Sequence, residues 1–431
     1  MSSKKRSLDS TAESPPTKVQ KVHPFFAKPA PGSDADSGPL RWLKPLGVAK
    51  SCLHAVHLEP KPSTKVAAFD IDGTIIASSF SMVEWKWWNA CVPKKLAAAA
   101  QAGYAVVLVT NQAGLKTPKM QEDWKKKIGS VVKAMGDVPF RLYAATKKDN
   151  YRKPLIGMWE ELEKQFADDG VQIDKSASFF VGDAAGRVFP ESKVKKDFAG
   201  TDRKWALNVG VAFHTPEEYF LDQAPDPNVH LFGFHVSSLP TDLPLFAPNN
   251  TPLVPKDPTQ ELVIFVGYPC LGKSTFFAKH FEPKGYKRVN QDTLKTRDRC
   301  IKAVREALEA GDKCVVDNTN RDVSTRRFYL DVARKLGIPV RCMVFTGSLE
   351  LAWHNNIYRG LCLPASVAER EPAREFLGMV AFTSFKADYE EPQPSEGFTE
   401  VKKINWVFEG TEEDKKAWSM WTTLDEKKND K

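Results

Sequence analysis

The sequence predicts an α/β protein of two domains, each a mainly parallel sheet flanked by helices. The chain has 431 residues, more than one ordinary domain needs, and 42% of them are apolar, which is enough for two cores. Two series of short apolar runs alternate with amphipathic stretches, as strands alternate with crossover helices. A proline-rich stretch separates the two series. We therefore expect domains at 39–236 and 259–431, joined by a linker at 237–258.

Residues 1–38 form a basic tail that is rich in Ser, Pro, Lys and Asp and poor in apolar residues. Such a segment cannot offset the entropy cost of ordering, so we expect it to be disordered. Its two basic clusters, Lys4–Arg6 and Lys18–Lys21, have the pattern of a two-part nuclear import signal. Phe25 and Phe26 could contact a sliding-clamp-type partner, but the glutamine that begins such a motif is missing. A chance apolar island is the alternative.

Composition narrows the class of protein. The net charge of +8 suits a polyanionic partner, although proteins without one share such a balance. Seven scattered cysteines without CxxC pairs indicate neither a disulfide framework nor a zinc site. No apolar run approaches the roughly 20 residues that span a bilayer, and no signal peptide is visible. We expect a soluble, intracellular monomer with no membrane contact.

The first series of strands carries two aspartates at the end of the run VAAFDIDGT. Asp70 and Asp72 fall at the carboxyl end of a buried strand, where open parallel sheets bind ligands. Two carboxylates so close favour a bound cation, and oxygen ligands favour Mg²⁺. Asp70 is a candidate nucleophile and Asp72 a candidate general acid. A simple turn between strand and helix is the alternative for an isolated DxDGT.

Three later residues extend this candidate site. Thr110 ends the next strand and offers a hydroxyl, Lys153 offers a cation, and Asp183 ends a third strand with another carboxylate. With Asp70 and Asp72, this ordered set resembles the haloacid dehalogenase superfamily of phosphatases. The resemblance implies a Mg²⁺ site at Asp70, Asp72 and Asp183. About forty residues separate Asp70 from Thr110, which leaves room for one helix but no large cap. The resemblance implies that such an open site acts on large substrates.

Basic residues near this site could line a positive wall for a phosphate backbone, although ordinary solvated lysines are the alternative. The residues are Lys147, Lys148, Arg187, Lys193, Lys195, Lys196, Arg203 and Lys204.

The second series of strands begins with LVIFV, followed by a complete GxxxxGK[ST] motif that leads into a helix. Gly267 and Gly272 let backbone N–H groups surround nucleotide phosphates. Lys273 can reach the outer phosphates, Ser274 can hold Mg²⁺, and Thr275 completes the motif. We expect this domain to bind ATP or a related nucleotide together with Mg²⁺.

Three further residues are candidates for the chemistry of the second domain. Asp292 in VNQD could accept a proton from an acceptor hydroxyl, or it could cap the next helix. Asp317 in VVDNTN could orient a metal-bound water or a neighbouring base. Arg359 could neutralise charge that develops on the transferred phosphate, with Arg326 as a weaker rival and a structural role as the alternative.

A DxDGT phosphatase followed by such a P-loop domain resembles the eukaryotic bifunctional polynucleotide phosphatase/kinase family over about residues 40–428. The resemblance rests on the segments NYRKPLIGMW, FFVGDAAGR, DRKWALNVG with Asp202, GKSTFF and AWHNNIYRG. It implies repair of DNA strand breaks in the nucleus. One domain would hydrolyse 3′-phosphate ends through an aspartyl-phosphate, and the other would transfer the γ-phosphate of ATP to 5′-hydroxyl ends. The matching residues are Asp70, Asp72, Thr110, Lys153, Asp183, Lys273, Ser274 and Asp292.

One feature departs from this family. Animal members carry an N-terminal phosphopeptide-binding domain, whereas a tail stands there in this sequence, which puts recruitment by phosphorylated repair scaffolds in doubt.

Three other functions are alternatives. Healing of RNA ends uses the same two chemistries, and no residue identifies a reader of the 2′-hydroxyl. A catalytically dead end-binding module would require lost catalytic groups, and a metabolic kinase fused to a small-molecule phosphatase would favour a cap.

Overall fold

The computed structural model describes residues 40–78, 81, 83–189, 196–256, 259–363 and 376–424. The predicted tail with its import signal and its aromatic pair lies outside the described residues. So do Lys193 and Lys195 of the predicted positive wall. The described residues belong to one compact unit that starts at Pro39.

A seven-stranded sheet forms the first domain, with the strand order β1-β2-β5-β4-β3-β6-β7. Strands β3 to β7 run parallel, and β1 and β2 add an antiparallel edge. The predicted parallel sheet is therefore confirmed, while this antiparallel edge was not predicted. The strands are β1 Leu40–Trp42, β2 Cys52–His57, β3 Val66–Phe69, β4 Ala105–Asn111, β5 Phe140–Ala145, β6 Phe179–Val181 and β7 Ala212–His214.

Helices cover both faces of this sheet. Their bounds are α1 Val92–Gln101, α2 Pro118–Met135, α3 Gly157–Asp168, α4 Thr201–Val209 and α5 Pro216–Leu221, with a 3₁₀ turn at Lys175–Ala177. Alternate residues of β3 enter different cores, because successive strand side chains point to opposite faces. Phe69 packs in the core that α1 and α2 cover, and Ala68 packs in the core that α3 and α4 cover.

The strands β3, β4 and β6 end at the edge of the first sheet that carries the predicted site. Between β3 and β4, α1 is the only helix that the described residues form. This arrangement agrees with the prediction of a site without a large cap.

A six-stranded sheet forms the second domain, with the strand order β10-β11-β9-β12-β13-β8. Its strands are parallel apart from β8, which pairs antiparallel with β13. The strands are β8 Phe246–Ala247, β9 Leu262–Val266, β10 Lys287–Val289, β11 Cys314–Asp317, β12 Val340–Phe345 and β13 Glu400–Ile404. The predicted strands LVIFV, CVVD and VRCMVF lie side by side at its centre.

Helices flank the second sheet as the sequence predicts. They are α6 Lys273–His280, α7 Gln291–Leu294, α8 Arg297–Glu309, α9 Val323–Leu336, α10 Leu349–Ile357, α11 Met379–Asp388 and α12 Glu412–Trp418. A π-helical turn, Tyr358–Cys362, extends α10. Short 3₁₀ turns lie at Val236–Ser238, Glu282–Lys284 and Pro394–Glu396. No helix in the described part of the chain is both long and apolar enough to cross a bilayer.

The predicted linker contributes to the second sheet. Strand β8 lies inside the range 237–258, and the buried Lys402 of β13 donates to the carbonyls of Pro248 (2.8 Å) and Thr251 (3.0 Å). A strand of two residues between prolines shows no periodicity, so the sequence could not reveal it. This part of the linker is fixed to the second domain, while the predicted domain boundaries stay a prediction.

Two candidate active sites

A sharp turn after β3 presents Asp70 and Asp72. Gly73 makes this turn with a φ of +84°, which favours glycine. A Cβ at Gly73 would lie 2.1 Å from an Asp183 carboxylate oxygen. Glycine therefore lets the β3 loop and the β6 loop meet, which brings the first and last predicted carboxylates of this site together.

Lys153 is buried at the centre of this site. Its Nζ lies 2.7 Å from Asp70 Oδ1 and 2.7 Å from Asp202 Oδ1, and it donates to the carbonyl of Val109 at 3.0 Å. Asn111 at the end of β4 fixes the lysine backbone. Its Oδ1 accepts from the Lys153 N–H (2.9 Å), and its Nδ2 donates to the Lys153 carbonyl (3.1 Å). The strand end therefore positions a charged side chain that reaches the site from a loop.

Three carboxylates cluster around this lysine. Asp70, Asp183 and Asp202 each offer an oxygen, and these oxygens lie within 4.8 Å of one another. Burial raises the pKa of Asp70 to about 7 against the opposing charge of Lys153, and burial also raises the pKa of Asp183. Burial disfavours the charged form of Lys153, but Asp202 and Asp70 outweigh it and raise the pKa of the lysine. One ammonium facing three carboxylates fits a divalent cation that prefers oxygen ligands, such as Mg²⁺.

Asp72 lies at the rim of this cluster. Its Oδ2 accepts a hydrogen bond from Gln112 Nε2 at 2.6 Å, and the same amide donates to the hydroxyl of Thr110 at 3.1 Å. Asp72 is partly exposed, whereas Thr110 is buried. Its carboxylate is not in the three-carboxylate cluster, where the structure places Asp202 instead of the predicted Asp72. The partly exposed carboxylate of Asp72 suits proton exchange, and its predicted metal-binding role stays a prediction.

The predicted P-loop connects β9 to α6. Gly267 has a φ of +153°, and a Cβ there would lie 2.8 Å from the Cβ of Phe345. Lys273 is buried, and its Nζ donates to the carbonyls of Gly267 (3.0 Å) and Tyr268. Burial lowers the pKa of Lys273 to about 8, although nearby Asp317 opposes the shift. An anionic phosphate beside this ammonium would favour its charged form.

Ser274 and Asp317 form an oxygen-bearing pair beside the P-loop. The Ser274 hydroxyl donates to Asp317 Oδ2 at 2.8 Å, and Asp317 is buried at the end of β11. Arg288 of β10 binds the same carboxylate oxygen through Nε at 2.8 Å and donates from Nη2 to Ser274 at 2.7 Å. A hydroxyl and a carboxylate fit Mg²⁺, as the sequence predicts for Ser274.

Asp292 lies at the start of α7, and its side chain is exposed. The cap of this helix is Asn290, whose Oδ1 accepts from the N–H groups of Asp292 (2.8 Å) and Thr293 (3.3 Å). Asn290 Nδ2 also donates to the carbonyl of Asp317 at 2.6 Å. The alternative in which Asp292 caps the helix is therefore wrong. Asn290 instead joins the Asp292 segment to the strand end that carries Asp317.

Arg359 and Arg326 have different roles. Arg326 is fully buried and forms two bonds to Glu396, at 2.8 and 2.7 Å. It is a structural residue. Arg359 lies in the π-helical turn and lines a 390 Å³ cavity together with Gly272 and Thr275 of the P-loop region. The structure therefore places Arg359, and not its rival, in a cavity beside the P-loop.

Comparison with known proteins identifies the family. Residues 65–220 match the polynucleotide kinase 3 phosphatase family, and residues 262–371 match an AAA domain family. A bifunctional polynucleotide phosphatase/kinase of Schizosaccharomyces pombe is 34% identical over 98% of this chain and 100% of its own length.

This chain belongs to the bifunctional polynucleotide phosphatase/kinase family. It is a two-domain enzyme with a phosphatase domain and a P-loop kinase domain. A protein of Acanthamoeba polyphaga mimivirus is 33% identical over 82% of this chain and 87% of its own length. The polynucleotide 3′-phosphatase ZDP of Arabidopsis thaliana is 36% identical, over 38% of this chain and 25% of that protein.

Asp202 of the phosphatase domain belongs to the family segment DRKWALNVG, and the sequence alone indicates no role for it. It lies in the first turn of α4, and its Oδ2 accepts from the N–H of Ala184 at 3.0 Å. A Cβ at Gly182 would lie 2.5 Å from that oxygen. The glycine before Asp183 is therefore the one signal in the sequence for a close neighbour at this position.

The predicted positive wall of the phosphatase is only partly available. Arg187 forms ion pairs with Asp197 (3.0 Å) and Glu217 (2.8 Å). Arg203 donates to a backbone carbonyl at 2.8 Å, and the buried Lys204 also donates to a backbone carbonyl. The prediction is wrong for Arg187 and Lys204, because their charges serve contacts within the domain, whereas the role of the partly exposed Arg203 stays a prediction.

Proposed function

We propose that this enzyme prepares broken DNA ends for joining, by removing 3′ phosphates and phosphorylating 5′ hydroxyls with ATP. One observation carries the proposal. A single chain of the family holds Asp70 against Lys153 in a carboxylate cluster, and it also holds a P-loop whose Ser274 is bonded to Asp317. Both halves of the end chemistry are therefore present in one molecule.

Asp70 is the nucleophile in the proposed phosphatase reaction. Its carboxylate attacks phosphorus, and the bond between phosphorus and the 3′ oxygen breaks as Asp72 gives that oxygen a proton. Asp72 then accepts a proton from the water that attacks the aspartyl-phosphate, which releases inorganic phosphate and restores Asp70. Gln112 orients Asp72 for both proton transfers, and the Thr110 hydroxyl can donate to a phosphoryl oxygen.

The charges around Asp70 support this role. Lys153 favours the charged form of the nucleophile, which burial alone would disfavour. Asp70, Asp183 and Asp202 are the residues that would hold Mg²⁺. When bound, the cation would supply positive charge opposite the negative charge that develops on the phosphoryl group.

The kinase reaction is proposed to use Asp292 as base. Asp292 takes the proton of the 5′ hydroxyl, whose oxygen attacks the γ-phosphorus of ATP as the bond to ADP breaks. Lys273 and Arg359 neutralise phosphate charge, and Ser274 and Asp317 would hold Mg²⁺. The 390 Å³ cavity beside Arg359 is the proposed place for the adenosine, since aromatic residues such as Trp406 and Phe276 contribute to its lining.

The test uses labelled nicked DNA that bears a 3′ phosphate and a 5′ hydroxyl, with Mg²⁺ and ATP, beside an RNA equivalent. We expect conversion of both DNA ends, and loss of both conversions in excess EDTA. Asp70→Ala should abolish phosphate removal only, and Lys273→Ala should abolish phosphorylation only. Conversion of RNA alone would instead support RNA end healing, and conversion of neither substrate would reject the substrate class. Loss of both activities in either variant would contradict two separate sites.

We also propose a nuclear location for the enzyme, on the strength of the basic clusters Lys4–Arg6 and Lys18–Lys21. The full chain fused to a fluorescent protein should enter the nucleus. Replacement of both clusters by alanine should leave it in the cytoplasm, and unchanged nuclear signal would reject the role of these clusters.

A further inference from the structure

The last described residues of the chain, Trp418–Leu424, form a segment that we call the C-terminal clasp. On the kinase side, the buried Trp418 donates from its indole Nε1 to Asn355 Oδ1 at 2.8 Å. Asn355 Nδ2 donates in turn to the carbonyl of Cys270 at 3.1 Å. Cys270 is part of the P-loop, so two hydrogen bonds connect the clasp to the loop that binds phosphates.

His354 also binds the clasp, and it lies on α10 beside Asn355. Its Nε2 lies 2.7 Å from the carbonyl of Trp418, and its Nδ1 lies 2.9 Å from the hydroxyl of Thr422. Because a carbonyl only accepts, Nε2 carries the proton and Nδ1 accepts from the threonine. Burial lowers the pKa of His354 to about 4. The neutral imidazole therefore joins two points of the clasp to α10.

On the phosphatase side, Asn208 of α4 binds the clasp and the catalytic lysine loop together. Its Oδ1 accepts from the N–H of Trp421 at 2.8 Å, and its Nδ2 donates to the Trp421 carbonyl at 2.9 Å. The second Nδ2 hydrogen goes to the carbonyl of Pro154 at 2.8 Å. All three hydrogen-bonding positions of the Asn208 amide are therefore used. Because Pro154 directly follows Lys153, this amide links the clasp to the loop that carries Lys153.

Trp421 and Thr423 of the clasp pack closely against neighbouring residues. His235 stacks on the Trp421 ring at 4.5 Å, and Lys204 Nζ lies 4.8 Å from the ring centroid. Gly233 has a φ of +99°, and a Cβ there would lie 3.0 Å from the Thr423 hydroxyl. A larger residue at Gly233 would therefore push against the clasp.

We propose that the C-terminal clasp is a positioning element for both reactions. It fixes the Lys153 loop through Asn208 and the P-loop through Asn355, so the geometry of the phosphatase depends on the C-terminal residues of the kinase domain. The inference rests on the proposed function. Asn208 and Asn355 are positioning residues, since each acts on the chemistry through the backbone of a neighbour.

Asn208→Ala in the full chain tests the phosphatase half. We expect kcat for 3′-phosphate removal to fall roughly tenfold to a hundredfold, because a small displacement of a catalytic group has effects of that size. KM for the DNA end and the rate of 5′ phosphorylation should stay unchanged. The matched control is Leu207→Ala, at an exposed position of the same helix, which should retain wild-type kinetics.

Trp418→Phe tests the kinase half. It keeps the aromatic packing but removes the N–H donor to Asn355, so we expect kcat/KM for ATP to fall roughly fivefold to tenfold. The phosphatase should be unaffected. A stop codon after Ala417, which removes the whole clasp, should lower both activities together.

Hydrogen–deuterium exchange gives a readout that does not depend on activity. In Asn208→Ala, amides in residues 150–157 should exchange faster than in the wild type while β3 stays protected. Wild-type phosphatase kcat in this variant, or unchanged exchange in 150–157, overturns the proposal. An equal fall of both activities in Asn208→Ala also overturns it, since that indicates general destabilisation. An inactive wild type would contradict the proposed function, and the exchange result would still decide the role of the clasp.

Discussion

Lys153→Met separates the charge of the central lysine from its bulk. The substitution keeps an unbranched side chain but removes the ammonium that pairs with Asp70 and Asp202, each at 2.7 Å. The three side chains are at most 9% exposed, so water cannot replace the lost partner. Removing one partner of a buried ion pair costs about 3–5 kcal/mol. For a domain of about 200 residues that cost lowers the melting temperature by roughly 6–20 °C.

Mg²⁺ should reduce this loss of stability. Without lysine, the cluster of Asp70, Asp183 and Asp202 has no ammonium to balance it, and a divalent cation would supply that balance. The fall in melting temperature should therefore be larger in EDTA than in Mg²⁺. Phosphate release should fall at least about a hundredfold in either case, because the buried cation also stabilises the charge on the reacting groups.

Scanning calorimetry of the full chain measures the melting temperature, and release of phosphate from a 3′-phosphate oligonucleotide measures activity. Lys119→Met is the matched control, since the side chain of Lys119 is 84% exposed and its contact with Asp123 lies on the surface of α2. It should change neither quantity. A Lys153→Met protein that melts at the wild-type temperature in EDTA, or that releases phosphate at the wild-type rate, would refute this account of the site.

Three other predictions follow from the geometry. Asp317→Asn removes the carboxylate charge beside Ser274, so kcat for 5′ phosphorylation should fall about a hundredfold while 3′-phosphate removal continues. Burial lowers the pKa of His354 from 6.5 to about 4, so the stability of the neutral form is complete above pH 6.5 and is lost as the pH falls toward 4. The loss is up to about 3 kcal/mol in urea unfolding. Gln112→Leu removes the donor to Asp72, and phosphatase kcat should fall roughly tenfold with the kinase unchanged.

Each of these predictions has its own control. For Asp317→Asn, the control is Asp312→Asn, a half-buried carboxylate that pairs with Lys287, and it should keep full kinase activity. An active Asp317→Asn enzyme would exclude the metal-binding role. His354→Gln should flatten the decline in stability between pH 6.5 and 4, and an equally steep decline would show that other groups cause it. For Gln112→Leu, recovery of activity in Gln112→Glu at low pH would support the donor role. An unchanged kcat in Gln112→Leu would exclude the donor role of Gln112.

The phosphatase site could largely be predicted because parallel strands end together. Asp70, Thr110 and Asp183 each follow an apolar run, and those runs became the neighbouring strands β3, β4 and β6. Residues at the carboxyl ends of adjacent parallel strands must lie at one edge of the sheet. Lys153 follows no strand directly, so the residues alone indicate a cation, and its position at this edge of the sheet rests on the family resemblance.

Residues that reach a site from a helix, or that act through a second side chain, could not be predicted in the same way. Asp202 enters the cluster because α4 packs across Gly182, and that packing depends on the whole domain. Arg288 looks like an ordinary strand residue until β10 lies beside β11. Arg187 was wrongly predicted to line the positive wall, because its acidic partners are 10 and 30 residues away along the chain.

Each site buries a reactive group, and the two groups have opposite charges: Asp70 in the first site and Lys273 in the second. Burial raises the pKa of Asp70 to about 7 and lowers the pKa of Lys273 to about 8, so each site disfavours its own charged group until a ligand of opposite sign binds. A cation relieves the first site and a nucleotide phosphate relieves the second. Mg²⁺ also fits Ser274 and Asp317 in the second site, so the nucleotide phosphate is the ligand that distinguishes the two sites. What the domains share is geometry, and the contacts of Asn208 and Asn355 place that shared geometry in the C-terminal clasp.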